Sequence, residues 1–160
     1  MPTTFVVVFL FPRTLRGIFH LGGTMHLTLI KNPDTSAGLA YRIARIVYAQ
    51  TGATSLPLVE AFTSMIKNLS DKSGTAISDI ICDPEIFDAL SDTSPRHNRM
   101  TVPVTSRAFQ MCLRTARLML SGGLVDSCNN ATCFHYADEI PAWATSRGYI
   151  ADIEGMLFYL

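Results

Sequence analysis

Flat aromatic faces flanked by polar groups are what a protein needs to hold a sugar ring. The C-terminal part of this chain concentrates them in Phe134, Tyr136, Trp143, Phe158 and Tyr159. Asp126, His135 and Glu154 are interleaved with them, groups able to bond hydroxyls or move protons. Taken singly, each has a plainer role. Trp143 after Pro141 reads as a packing anchor with its indole N–H bonded, and Phe158 at a strand end reads as core. Asp126 reads as a turn residue bonding backbone amides. His135 alternates with Phe134, so one of the two faces inward, and a hydrogen-bonding or solvent-facing histidine is expected.

Other chemistries find less support. Cys128, Cys133 and His135 cluster, with His97 as a fourth ligand to consider, but the paired C-x₂₋₄-C spacing of structural zinc is missing, and no metal or cofactor is expected. The 4 cysteines, Cys82, Cys112, Cys128 and Cys133, are too sparse for a disulfide framework, although Cys128 and Cys133 could pair across a turn. Gly122-Gly123 lacks the surrounding pattern of a phosphate loop, and GLVDS is not a nucleophile elbow. With 13 basic and 13 acidic residues, 48% hydrophobic and only 16% charged, the chain is neither a disordered segment nor a general polyanion binder, so no nucleic-acid partner is expected.

The elements that must position these groups follow from periodicity. The 160 residues suit one domain with a proper core. From Ser36 the pattern is helical, with Leu39, Ile43, Ile46, Val47 and Gln50 on one face, a cap at Thr35 or Ser36, and Gly52 as the stop. Ser55 with Pro57 opens a second helix carrying an apolar stripe of Val59, Phe62, Ile66 and Leu69, with Glu60, Ser64 and Lys67 on its wet side. A polar linker through Gly74 leads to Asp83 and Pro84, which read as the start of a short helix that brings Phe87 inward, and Ser91 to Val102 reads as loop. Pro103 to Ser121 reads as the longest helix, burying Phe109, Cys112, Leu113, Ala116 and Leu120 and exposing Arg107, Gln110, Arg114 and Arg117. Beyond the Asn129-Asn130 turn the period drops to two over Thr132 to Tyr136, and Tyr149–Ile153 with Met156–Tyr159 flank Glu154-Gly155 as a hairpin. Helices first and a small antiparallel sheet last predict an α+β domain over residues 36–160, with the sheet forming one wall of a cleft.

Residues 1–35 read as an N-terminal extension. Their apolar run is broken by Pro12, Arg13 and Arg16 before it could cross a bilayer, and its basic residues follow the apolar run instead of preceding it as in a secretion signal. Met25 opens a more ordinary beginning, so the first 24 residues read as an upstream extension from a misplaced start or a poorly ordered tail. Cytoplasmic residence stays open on these grounds.

The tail DSCNNATCFHYADEIPAWATSRGYIADIEGMLFY resembles the C-terminal signature of SleB-type (spore-cortex-lytic) cell wall hydrolases, in which D-P-T-x-G-A-T-x-F/Y leads to P-x-W-A and an I-G-x-H-x-F-Y hairpin. Asp126, Ala131, Thr132, Phe134, Pro141, Trp143, Ala144, Ile153, Phe158 and Tyr159 carry the resemblance. Upstream, IARIVYAQTGATSLPLVEAFTSMIKN is similar to that family's L-A-R-x-I-Y-x-E-A-x-G-E-S and following helix, Glu85-Ile86-Phe87 sits where the family has Q-F-S, and FQMCLRTARLMLSGG resembles its A-x-x-A-L-x-G helix. The resemblance implies a lysozyme-like fold, a bacterial envelope or periplasmic location, and cleavage of peptidoglycan glycan strands by a muramidase or lytic transglycosylase reaction. It implies sugar contacts at Phe87, Thr132, Phe134, His135, Trp143, Phe158 and Tyr159, with no cofactor.

The same resemblance puts Gln50 at the catalytic glutamate and Thr54 at the second one. A carboxamide has no proton to give a departing glycosidic oxygen. Glu60 falls on the solvent face of its helix, whereas Glu154, near Met156 where the family has His, is a candidate substitute acid. Three readings stay open: a glycan-strand hydrolase weakened by Gln50 or served by a replacement acid, an inactive peptidoglycan-binding or regulatory module, and a helical interaction domain using Arg107, Arg114 and Arg117.

Overall fold

The computed structural model describes residues 5–8, 18–21 and 38–160. The chain forms two compact units, Met1–Ala37 and Gly38–Leu160. In the first, β1 (Phe5–Val8) pairs antiparallel with β2 (Ile18–Leu21). The expected cap at Thr35 or Ser36, and most of the stretch read as an upstream extension, lie outside the described residues.

The second unit is mixed helix and sheet, with helices first. Helix α1 (Gly38–Thr51) buries Ile43, Ile46, Val47 and Gln50 as its spacing predicts. It stops where Gly52 and Ala53 both turn left-handed, at φ 64° and 50°. Arg99 donates to the Ala49 carbonyl (3.2 Å), satisfying an end-of-helix acceptor beside Gln50. Helix α2 (Leu56–Ser73) starts at Ser55, whose hydroxyl accepts from the Leu58 amide (3.3 Å), and ends on Gly74 at φ 70°. Its stripe is inward at Val59, Phe62 and Ile66, but Ser64 is buried too. The Ser64 hydroxyl reaches the Val125 carbonyl (3.4 Å), so the segment around Val125 covers a face that the helix alone leaves wet.

A short helix α3 (Ile77–Ile80) precedes the Asp83-Pro84 region. No helix forms at Asp83, which bonds the Glu85 amide (2.9 Å) in a turn, although Phe87 does go inward. Short 3₁₀ helices occupy Asp88–Leu90 and His97–Thr101, the latter inside the stretch expected to be loop. Helix α4 (Arg107–Leu120) begins later than the expected Pro103. Arg45 of α1 holds the Met100 and Val102 carbonyls (2.8 and 3.2 Å), and that tether keeps the chain extended at Val102 before the helix can start. Phe109 packs against Tyr41 and Tyr48, with centroids 5.9 and 6.5 Å away. At the last turn Met119 is buried and Leu120 exposed, reversing the expectation for Leu120.

Strands β3 (Cys133–Tyr136), β4 (Ala151–Ile153) and β5 (Met156–Tyr159) form an antiparallel sheet in the order β3-β5-β4, with Phe134 opposite Phe158 and Tyr136 opposite Met156. The β4–β5 hairpin turns at Glu154-Gly155, both at positive φ, as expected. The sheet joins the helices through an aromatic cluster: Phe134 lies 4.9 Å from Phe62, edge to face, and Phe62 lies 5.9 Å from Phe87. All four cysteines are free, so Cys128 and Cys133 do not pair.

Asp126 holds the turn into β3. It accepts from the Cys128 and Asn130 amides (3.1 and 2.7 Å) and from Asn68 of α2 (3.2 Å), as its turn role predicts. Burial pushes its carboxyl up, but these donors outweigh it and hold the group below the ordinary 3.8. A carboxyl with a depressed folded pKa contributes stability above the unfolded value, and that contribution is lost as pH falls. Unfolding free energy measured in denaturant should therefore drop as pH falls below about 3.8 and through the lower folded pKa. Asp126→Asn should show a shallower drop, and an identical acid limb in the variant would remove Asp126 from the account.

Candidate functional site

The sheet edge and the segment around Asp88 bound a cleft of about 400 Å³. Phe134, His135 and Tyr136 supply one wall from β3, and Pro84, Glu85, Ile86 and Asp88 the other. Glu139, Ile140 and Trp143, after the strand, complete the rim. Local alternation explains Asp88: Phe87 is wholly buried in the aromatic cluster, so its neighbour turns outward into the cleft.

Gln50 stands one side chain behind this wall. It is only 1% exposed and does not itself line the cleft. The Tyr136 hydroxyl donates to the Gln50 backbone carbonyl (2.9 Å) and sits in short contact with the Gln50 side-chain oxygen. A phenol carries one proton, so it cannot fully satisfy both acceptors. The Gln50 Nε2 lies near enough to Asp88 to depress its pKa, yet it has no hydrogen-bond partner of normal geometry. A buried, unbonded amide nitrogen costs free energy.

Asp88 is the most engaged acid of the site. Arg96 Nη1 and the Ser94 hydroxyl both donate to Asp88 Oδ2 at 2.7 Å. Burial raises its pKa, but Ser94, Arg96 and Gln50 together overcome that and hold it below 3.8. It is therefore a standing negative charge at neutral pH and not a proton donor. Arg96 also donates to Glu139 (2.6 Å) and lies 3.5 Å from the centre of the Tyr136 ring. Through Arg96, the Asp88 segment, the β3 wall and the Glu139 rim are joined in one network. Burial pushes the Tyr136 phenol upward, so it stays a neutral donor.

Of the residues expected to contact sugar, Phe134, His135 and Trp143 line the cleft. Phe87 and Phe158 do not: both are fully buried, and their role is packing. Thr132 lies outside the lining, its amide bonded to the Tyr159 carbonyl (2.7 Å). Tyr159 is buried, with its hydroxyl 2.8 Å from His135 Nε2. His135 Nδ1 lies 2.7 Å from the Tyr136 carbonyl, which can only accept, so Nδ1 carries the proton and Nε2 accepts from Tyr159. Trp143 packs edge-on against His135 and Tyr159 (5.8 and 5.2 Å) but stays 39% exposed at the rim, more open than a packing anchor.

Glu154 is not part of the cleft. Its carboxylate accepts from Thr54 (2.7 Å) in the loop between α1 and α2, and Ser55 and Thr54 hold its pKa down. A depressed pKa leaves it ionised, so its geometry and protonation both disfavour a role as substitute acid. Burial pushes the Cys112 and Cys128 thiols up to about 12, leaving them without thiolate character. Among the described residues no group of His, Cys, Asp or Glu gathers as metal ligands would, and no helix is long and apolar enough to cross a membrane.

Asp88, Arg96 and Glu139 were missed by sequence reasoning. Asp88 adjoins the Glu85-Ile86-Phe87 segment already singled out, which was a usable signal, but nothing in the spacing couples Arg96 to acids 8 and 43 positions away. Compared with known proteins, the chain matches no family model, no curated protein and no solved structure.

Proposed function

We propose that residues 38–160 form a lysozyme-like domain of the SleB type that holds a peptidoglycan glycan strand in the β3 cleft. Its strand cleavage is weakened by Gln50, and its place of action is the bacterial envelope. The observation that carries this reading is the contact between Gln50, at the end of α1, and Tyr136 of the cleft wall. Residue 50 stands directly behind the Tyr136 wall of that cleft. As an amide it removes general-acid catalysis, worth roughly 10²- to 10⁴-fold. An ionised Asp88 could steady positive charge on a sugar ring, but it cannot protonate a leaving group.

An exposed tryptophan, a Glu85 carboxylate unpaired among the described residues, and the outward oxygens of Asp88 and Glu139 form the mixture of stacking surface and hydrogen-bonding edges that suits carbohydrate. Because Asp88 and Glu154 are both held ionised, binding is favoured over a relocated acid as the activity of the unmodified chain.

Cosedimentation with purified peptidoglycan tests the reading. The unmodified protein should bind while releasing few muropeptides, and Trp143→Ala should bind roughly tenfold more weakly, as the loss of one stacking face implies. No binding by the unmodified protein would remove the glycan reading and leave the exposed Arg107, Arg114 and Arg117 face of α4 as the feature to pursue.

A further inference from the structure

The charges that line the cleft are all negative. Glu85 and Asp88 stand on one wall and Glu139 on the rim, and no lysine or arginine is among the lining residues. Arg96 does not offset them fully: it bonds one oxygen of Asp88 and one of Glu139, and its own side chain is only 13% exposed. Glu85 is exposed, and its carboxylate has no hydrogen bond or ion pair among the described residues. Arg147 also lies outside the lining, its guanidinium carbon 5.9 Å from the Trp143 ring centre. Beside these acids are an exposed indole face and the apolar side chains of Ile140 and Pro84.

Such a surface suits a ligand with a flat apolar face and a positive charge. An ammonium gains from nearby carboxylates and from an aromatic ring, whereas a carboxylate-bearing ligand is repelled. An N-acetylated sugar presents only a neutral amide, which gains nothing from these charges. We propose that the cleft selects amine-bearing saccharides, namely glycan strands in which some N-acetyl groups are missing and glucosamine ammonium groups are exposed. The inference rests on the glycan-binding reading above and names which glycan that site takes.

Trp143 is the chain's one tryptophan, so its fluorescence reports occupancy of the cleft directly. Fully de-N-acetylated chitotetraose and N-acetylated chitotetraose should be titrated into the protein in mildly acidic, low-salt buffer. The amine form is expected to bind about tenfold more tightly, and added salt should shrink the gap because charge carries it. Glu85→Gln, an exposed change that spares the core, should lower affinity for the amine form several-fold and leave the N-acetylated form nearly unchanged. Equal or tighter binding of the N-acetylated tetramer would overturn the selectivity while leaving glycan binding intact. Spermidine binding as tightly as the amine sugar would overturn it too, by showing a general cation site. No response to either tetramer, together with no cosedimentation with peptidoglycan, would defeat both this inference and the reading beneath it.

Discussion

Replacing Gln50 by glutamate is expected to raise muropeptide release from purified peptidoglycan by about two orders of magnitude or more over the unmodified protein. The physical case rests on what surrounds residue 50. One oxygen of the new carboxyl would keep the Tyr136 hydroxyl, and the other would take the place of the unbonded Nε2, in the neighbourhood through which Gln50 lowers the Asp88 pKa. An ionised carboxyl there would be buried near a second carboxylate, while the neighbouring cations are already engaged, Arg96 by Asp88 and Glu139 and Arg99 by the Ala49 carbonyl. Burial and like charge both favour the neutral form, so the pKa of a glutamate at this position would rise. A buried, protonated carboxyl beside an ionised one is the arrangement that glycosidic cleavage needs. The expected pH profile has two limbs. Activity should fall at high pH as residue 50 loses its proton, and at low pH as Asp88 gains one, the two apparent values belonging to the coupled pair.

Stability supplies a check independent of activity. An acid whose folded pKa lies above its unfolded value of roughly 4.3 loses stability as pH rises from that value to the folded one. The melting temperature of Gln50→Glu should therefore fall relative to the unmodified protein between acidic and neutral pH. Equal muropeptide release by both proteins at every pH would show that residue 50 is not where the acid belongs. A melting difference that does not change with pH would show that the new carboxyl is not held in the buried, acid-facing setting described for Gln50.

Phe87→Ala should cost about 3–5 kcal/mol of unfolding free energy, measured by denaturant titration. Phe87 is fully buried and packs 5.9 Å from Phe62, while Phe134 lies nearly parallel to it at 6.5 Å. Truncation leaves a cavity at the junction of α2, the Asp88 segment and β3, and a close-packed interior relaxes only partly around such a void. A loss of that size is a large share of the 5–15 kcal/mol typical of a domain. Because Phe87 directly precedes Asp88, the cleft wall should loosen as well, and any glycan binding should fall along with stability. Phe87→Leu, which keeps most of the volume, should restore much of both. A Phe87→Ala protein that keeps its stability but loses binding would show that the ring contacts ligand and is not core.

The local elements were legible because their causes are local. Ser55 and Pro57 start α2, Gly52 stops α1, and the period-two run at β3 and the Glu154-Gly155 turn each need only a few neighbouring residues. Asp126 was readable for the same reason, since the Cys128 and Asn130 amides that donate to it lie within a turn of it, and only the Asn68 donor comes from afar. Where the reading failed, a distant partner had intervened. Val125 covers Ser64, and Arg45 delays α4 by binding carbonyls more than fifty positions away.

The candidate site divides along the same line. Sequence alone determined that Gln50 faces inward, that aromatics gather in the last third of the chain, and that helices precede a small antiparallel sheet, because side-chain period and turn chemistry are written in consecutive residues. Only the tertiary structure decided which of those aromatics meet solvent: Phe87 and Phe158 went to the core, and Trp143 went to the rim. It also decided that Asp88, Arg96 and Glu139 form the charged network and that Glu154 stays apart from it. Charge pairing and cleft shape depend on which segments pack together, and no spacing along the chain encodes that distance.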